Sequence, residues 1–169
     1  MIIVENFLTP NTFQRCQKEL KQKLQERCWT SSCIAWGDNV KKGITGSTLV
    51  TGVSDKLKER LEKELRKYLP DGMEEVKVHA DYYVWQYNAG ISGHTDQKYK
   101  FGATLYLNDE WFVNSGGLFV WEDSETGKEK VHVPTRNVLV LNTKHEEHMV
   151  TPVTVETFDF RYTIQMWGL

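Results

Sequence analysis

Tyr82-Tyr83-Val84-Trp85-Gln86-Tyr87-Asn88-Ala89-Gly90 decides the fold, and His94-Thr95-Asp96 just beyond it carries the chemistry. The run is aromatic and β-branched, as strands are, and Asn88-Ala89-Gly90 is a turn signal. It belongs to a strand expected from Val76 to Asn88, broken near Asp81. Further strands are expected at Phe101 to Leu107, Leu118 to Trp121, Lys130 to Val133, Val138 to Leu141 and Phe158 to Trp167. Breaks fall at Asn108-Asp109, Ser115-Gly116-Gly117, Glu125-Thr126-Gly127 and Pro134. Many short strands with Gly-rich turns predict two packed sheets, as in a sandwich or jelly roll.

Upstream the pattern changes. Met1 to Phe7 reads as a first strand. Thr9-Pro10 then matches an N-cap followed by proline at the first helical position. Phe13, Cys16, Leu20 and Leu24 follow at helical spacing. A second helix is expected from Ser54 to Leu69. Its stripe is Leu57, Leu61, Leu65 and Tyr68, a Glu62–Arg66 pair lies on its wet side, and Pro70-Asp71-Gly72 ends it. Trp29 to Gly52 reads as loop with one or two short strands. The expectation is one α+β domain, mainly β, over 1–169. A helical front, 1–75, would cover one sheet of a jelly-roll core, 76–169.

The chain has 169 residues, 40 % hydrophobic and 26 % charged, with a formal net charge of -2. That balance fits a soluble globular protein and leaves no electrostatic footprint for nucleic acid. No apolar run reaches the ~20 residues that span a bilayer, and the N-terminus lacks the basic and apolar regions of a signal peptide. Cys16, Cys28 and Cys33 form no CxxC pair. They read as reduced thiols in the cytoplasm rather than a disulfide or zinc framework.

Residues i and i+2 of a strand share a face, so His94 and Asp96 can grip one ion while Thr95 faces away. Gly90 and Gly93 permit a close approach just before them. His132, His145 and His148 are the candidates for a third ligand. His145 and His148 are three apart, so the H-E-x-x-H pattern of zinc proteases is absent. His148 is preferred because Met149-Val150-Thr151-Pro152-Val153 reads as a buried strand, a rigid place for a ligand. His145 reads as a solvent-side neighbour and His132 as a strand-face residue. Two imidazoles and one carboxylate form the facial set that holds non-haem Fe(II) with open positions.

Arg161 lies within Phe158-Asp159-Phe160-Arg161-Tyr162-Thr163-Ile164-Gln165-Met166-Trp167. Alternation puts Phe158, Phe160, Tyr162, Ile164 and Met166 on one face. Asp159, Arg161, Thr163, Gln165 and Trp167 take the other. A polar inner face lines a binding cavity. Alternatively, Arg161 pairs with a structural carboxylate such as Asp159, Asp81 or Glu122, since an unpartnered buried guanidinium is costly.

Taken together, these residues resemble the Fe(II)- and 2-oxoglutarate-dependent dioxygenases, within them the prolyl 4-hydroxylase-like branch. The matching pieces are Tyr87 to Gly90 leading into His94-Thr95-Asp96; Thr104-Leu105-Tyr106-Leu107-Asn108; Gly116-Gly117-Leu118-Phe119; Val133-Pro134 before Asn137 to Leu141; His148 with Pro152-Val153; and Arg161 with Trp167. The resemblance implies a double-stranded β-helix, with His94, Asp96 and His148 as iron ligands. It implies that Arg161 and Tyr106 bind the distal carboxylate of 2-oxoglutarate, that Tyr87 lies near the iron end of that co-substrate, and that Trp167 walls the metal pocket, with Trp85 a further candidate wall. Fe(II), 2-oxoglutarate and O2 are the implied cofactors, with ascorbate a candidate reductant. One departure is that the arginine often found before the Tyr106 strand is not evident, Lys100 being a candidate stand-in.

The implied reaction hydroxylates an unactivated C–H bond, with release of succinate and CO2. The resemblance points to a prolyl residue of a peptide or protein, the departure leaving room for an amino acid, another metabolite or nucleic acid. A non-catalytic jelly-roll binding module is the contrasting reading. Substrate selection is expected from Trp29 to Gly52, which holds Trp36, Lys41 and Lys42, and from the Gln97 to Phe101 and Asp109 to Ser115 loops.

Overall fold

In the computed structural model, the described residues are 1–26, 28–31, 43–154 and 159–169. The strands are β1 (Ile2–Val4), β2 (Thr30–Ser31), β3 (Ile44–Thr45), β4 (Thr48–Gly52), β5 (Val78–Trp85), β6 (Gly90–His94), β7 (Gly102–Tyr106), β8 (Phe119–Asp123), β9 (Lys128–His132), β10 (Leu139–Asn142), β11 (His148–Val150) and β12 (Arg161–Gly168). They form a seven-stranded sheet ordered β1-β10-β7-β12-β5-β4-β2 and a five-stranded sheet ordered β3-β6-β11-β8-β9. The two sheets face each other as the jelly-roll pattern requires.

Among the described residues, the helices α1 (Pro10–Gln25) and α2 (Asp55–Leu65) accompany the larger sheet. At the start of α1, the Thr9 hydroxyl accepts from the Thr12 amide at 3.3 Å. Phe13, Cys16 and Leu20 are buried, whereas Leu24 at the frayed end of the stripe is 41 % exposed. α2 buries Leu57, Leu61 and Leu65 and tightens into a 3-10 turn at Arg66–Tyr68. Arg66 pairs with Glu62.

Alternation then sorts the core into two layers. Leu105, Leu139, Leu141, Ile164 and Met166 join the helix residues on the outer side of the larger sheet. Tyr83, Trp85, Tyr106, Val140 and Trp167 face the smaller sheet, with Phe119, Trp121 and Val150 opposite. The expected faces of β12 are therefore observed from Arg161 onward; Phe158 lies outside the described residues.

Several boundaries differ from the sequence expectation. β5 runs unbroken through Asp81, which is opposite Gly52 on one side and Gln165 on the other. Gly90–His94 is a strand of its own, and the described part of the Trp29 to Gly52 region contributes β2, β3 and β4. Trp29 packs against the helix layer and donates to the Lys23 carbonyl at 2.7 Å, away from a lid position. Cys33, Trp36, Lys41 and Lys42 lie outside the described residues.

Candidate metal and co-substrate site

β6 and β11 are antiparallel, with His94 opposite His148 and Ile91 opposite Val150. Three steps on β6 therefore match two on β11, a bulge that re-aims the bulged strand. This bulge brings His94 across from His148. The strand ends at His94, so Asp96 enters from the following loop rather than by strand alternation. The donor atoms of His94, Asp96 and His148 lie within 4.8 Å of one another.

Each imidazole is held for ligation by its far nitrogen. His94 Nδ1 lies 2.9 Å from the Ser92 carbonyl, and His148 Nδ1 lies 3.0 Å from the Glu146 carbonyl. A carbonyl only accepts, so each Nδ1 carries the proton and each Nε2 presents a lone pair. His148 Nε2 is 3.6 Å from Asp96 Oδ2. Burial, with His94 alongside, holds the His148 imidazole below its usual range, favouring the neutral form that binds metal. Phe119 stacks on His148, its ring centroid 5.1 Å away.

Neighbours missed in the sequence complete this centre. Asn142 bridges the loop before His148: its Nδ2 donates to the Glu146 carbonyl at 2.9 Å, and its Oδ1 accepts from the Glu146 amide at 3.1 Å. A Cβ on Gly102 would sit 2.9 Å from Asp96 Oδ2. Glycine there is the space into which the carboxylate fits. The sequence signal is a glycine opening a strand, where the close approach of a neighbour is a common reason for it.

The cluster opens into a cavity whose lining includes Trp85, Tyr99, Thr104, Gln165 and Trp167. Trp167 packs against Tyr99 and Tyr83, at centroid separations of 5.6 and 5.8 Å. Lys98 reaches the lining, whereas Lys100 is exposed and absent from it.

Arg161 lies beyond that lining, 0 % exposed, with its guanidinium 4.9 Å from the Trp85 ring centroid and 5.2 Å from that of Tyr106. The guanidinium and the Tyr106 hydroxyl lie against each other, and neither meets any other hydrogen-bond partner among the described residues. The structural-carboxylate alternative is therefore not what the described residues show. Burial presses Arg161 toward neutrality and holds the Tyr106 phenol protonated. Leaving such a charge unpaired costs ~3–5 kcal/mol, so the geometry calls for an anion. Gly117 makes room: its φ is +61°, and a Cβ there would lie 2.6 Å from Arg161 Cδ.

Tyr87 is not brought into this group. It is 41 % exposed, its ring 5.1 Å from that of Phe160. It follows the end of β5 and is not among the residues lining the cavity beside the three donors. His145 sits in the loop before His148 at φ 54°. His132 is a strand-face residue as expected: it closes β9, and its ring stacks on Tyr106 at 5.5 Å.

A family model for the 2OG-Fe(II) oxygenase superfamily matches residues 64–168, more than half of the chain. The chain belongs to this family. The 2OG-Fe(II) oxygenases use Fe(II), 2-oxoglutarate and O2, and the His94, Asp96 and His148 donor set suits that iron. Solved structures share the fold. A Pseudomonas putida prolyl-4-hydroxylase aligns at TM-score 0.75 and 16 % identity, covering 99 % of this chain and 90 % of that one. A Trichoplax adhaerens prolyl hydroxylase, in complex with a hypoxia inducible factor oxygen degradation domain peptide fragment, aligns at TM-score 0.76 and 16 % identity, covering 99 % and 82 %. A non-heme alpha ketoglutarate dependent epimerase from nogalamycin biosynthesis aligns at TM-score 0.72 and 11 % identity, covering 99 % and 76 %. No match is found among curated protein sequences. No helix of the described residues is long and apolar enough to cross a membrane.

Proposed function

We propose that this oxygenase hydroxylates an unactivated C–H bond of a prolyl residue in a peptide or protein, with His94, Asp96 and His148 as iron ligands and Arg161 and Tyr106 as the co-substrate anchor. The observation that carries the catalytic reading is the pairing of two incomplete sites. Three donors converge with free lone pairs, and a buried guanidinium beyond Trp85 has no counter-ion among the described residues. A non-catalytic binding module has no use for both. Iron and 2-oxoglutarate, when bound, supply oxygen activation coupled to decarboxylation of the co-substrate to succinate and CO2.

The chain's own residues set the conditions. The Arg161 fork matches a carboxylate with two parallel N–H donors, and Tyr106 adds an O–H. Trp85 and Trp167 exclude water from the inner wall, while Tyr99 and Lys98 shape the side where substrate would enter. The prolyl assignment draws on the two prolyl hydroxylases that share this fold and on an open aromatic cavity that suits an apolar ring. Incubating the Fe(II)-loaded protein with prolyl peptides, free amino acids and nucleic acid, each with 2-oxoglutarate, tests it. The expected result is a gain of one oxygen on a prolyl peptide, with matched succinate. Oxygen gained only by another class would move the substrate assignment and leave the site assignment standing.

A further inference from the structure

At the buried end beyond Trp85, the side chains form a column: Trp85, the Arg161 guanidinium, the Tyr106 ring and the His132 ring. Five polar atoms in this column meet no hydrogen-bond partner outside it among the described residues: three nitrogens of Arg161, the Tyr106 hydroxyl and His132 Nε2, each out of contact with solvent. Native proteins rarely strand buried polar groups, and a cluster points to a missing ligand. His132 closes β9, opposite Phe119, whose ring stacks on the metal ligand His148. Burial and the nearby Arg161 keep the imidazole below its usual range, hence neutral near pH 7. A neutral imidazole has one N–H to give.

The donor count then fits one ligand. A carboxylate offers about four lone-pair sites. The Arg161 fork fills two and the Tyr106 O–H a third, leaving one open beside the ring stacked on Tyr106. We propose that His132, with its proton on Nε2, is the fourth donor to the distal carboxylate of 2-oxoglutarate. This rests on the reading of Arg161 as the co-substrate anchor. A neutral fourth donor satisfies the anion without a second buried cation, so the pocket holds a dianionic 2-oxo acid over one that ends in a methyl group.

The test is equilibrium titration of the Mn(II)-loaded protein with 2-oxoglutarate and with 2-oxobutanoate, which lacks the distal carboxylate. His132→Phe keeps a ring against Tyr106 and removes the N–H; β9 is an edge strand, so the change leaves the fold standing. His132→Phe is expected to bind 2-oxoglutarate about tenfold more weakly, the scale of a hydrogen bond to a charged group, with 2-oxobutanoate unchanged. His132→Gln, which retains an N–H donor, recovers part of the loss. Wild-type affinity for 2-oxoglutarate in His132→Phe, or equal losses for both acids, would overturn the assignment. Failure of the underlying reading differs: the wild type would ignore 2-oxoglutarate, or Arg161→Ala would bind it as well as wild type, and His132 would fall with it.

Discussion

At the scale of single residues, the centre depends on two glycines as much as on its ligands. Gly102→Ala would push a methyl toward Asp96 Oδ2, now 2.9 Å from the position a Cβ would take. Supporting contacts of this kind typically govern metal affinity by 10–100-fold. Fe(II) affinity in Gly102→Ala is expected to fall by about tenfold with little change in melting temperature; unaltered affinity would show that Asp96 is not held against β7. Arg161→Ala is expected to raise the 2-oxoglutarate requirement by roughly 100-fold or more, from a lost charge-assisted pair. Arg161→Lys restores only part, because an ammonium cannot form the planar fork. Steady-state titration of 2-oxoglutarate checks both variants, and an unchanged requirement removes Arg161 from the anchor. The convergence of His94, Asp96 and His148 was legible in the sequence because few residue types bind iron, and Arg161 stands out as a cation inside an aromatic strand. The contacts of Gly102 with Asp96 and of Asn142 with Glu146 were not legible, since they depend on how the intervening loops turn, and His132 reads there only as a candidate ligand or strand-face residue. Tyr87, named by its motif alone, lies outside the cavity lining, because a motif match fixes neighbourhood but not the direction of a side chain past a strand end.

At the scale of elements, β6 is the decisive piece. Gly90-Ile91-Ser92-Gly93 has little strand propensity, and its extended form comes from pairing with β11 and β3. The bulge appears only against a partner strand, so no periodicity in the chain announces it. β12 is the contrary case: its strict alternation separates core from cavity, and the sequence alone divides it correctly. Deleting Ser92 is expected to remove the extra residue and turn His94 to the opposite face. Fe(II) binding should be lost while the far-ultraviolet circular dichroism of the sheets persists. Retained iron binding in the deletion would mean that the bulge does not aim the ligand.

At the scale of the whole molecule, the helix layer and outer sheet face form one core, and the cavity occupies the space between the sheets. Of the histidines in that inner space, His148 is held below its usual range by burial and by His94, and His132 by burial and by Arg161. Their folded values lie below those of the unfolded chain, so unfolding takes up protons as pH falls. Stability is therefore complete above ~6.5 and declines below it. The metal-free protein is expected to melt at lower temperature near pH ~5.5 than at pH ~7.5. His132→Phe narrows the difference, and an equal pH response in that variant would remove His132 from the account. The most direct test of the central claim is an anaerobic titration of Fe(II) followed by 2-oxoglutarate, read by the visible charge-transfer absorbance of the iron chelate. Wild type is expected to bind one Fe(II) per chain and to develop the band on adding 2-oxoglutarate, while Asp96→Ala and His148→Ala develop none. A band of wild-type strength in either variant, or none in the wild type, would contradict the account.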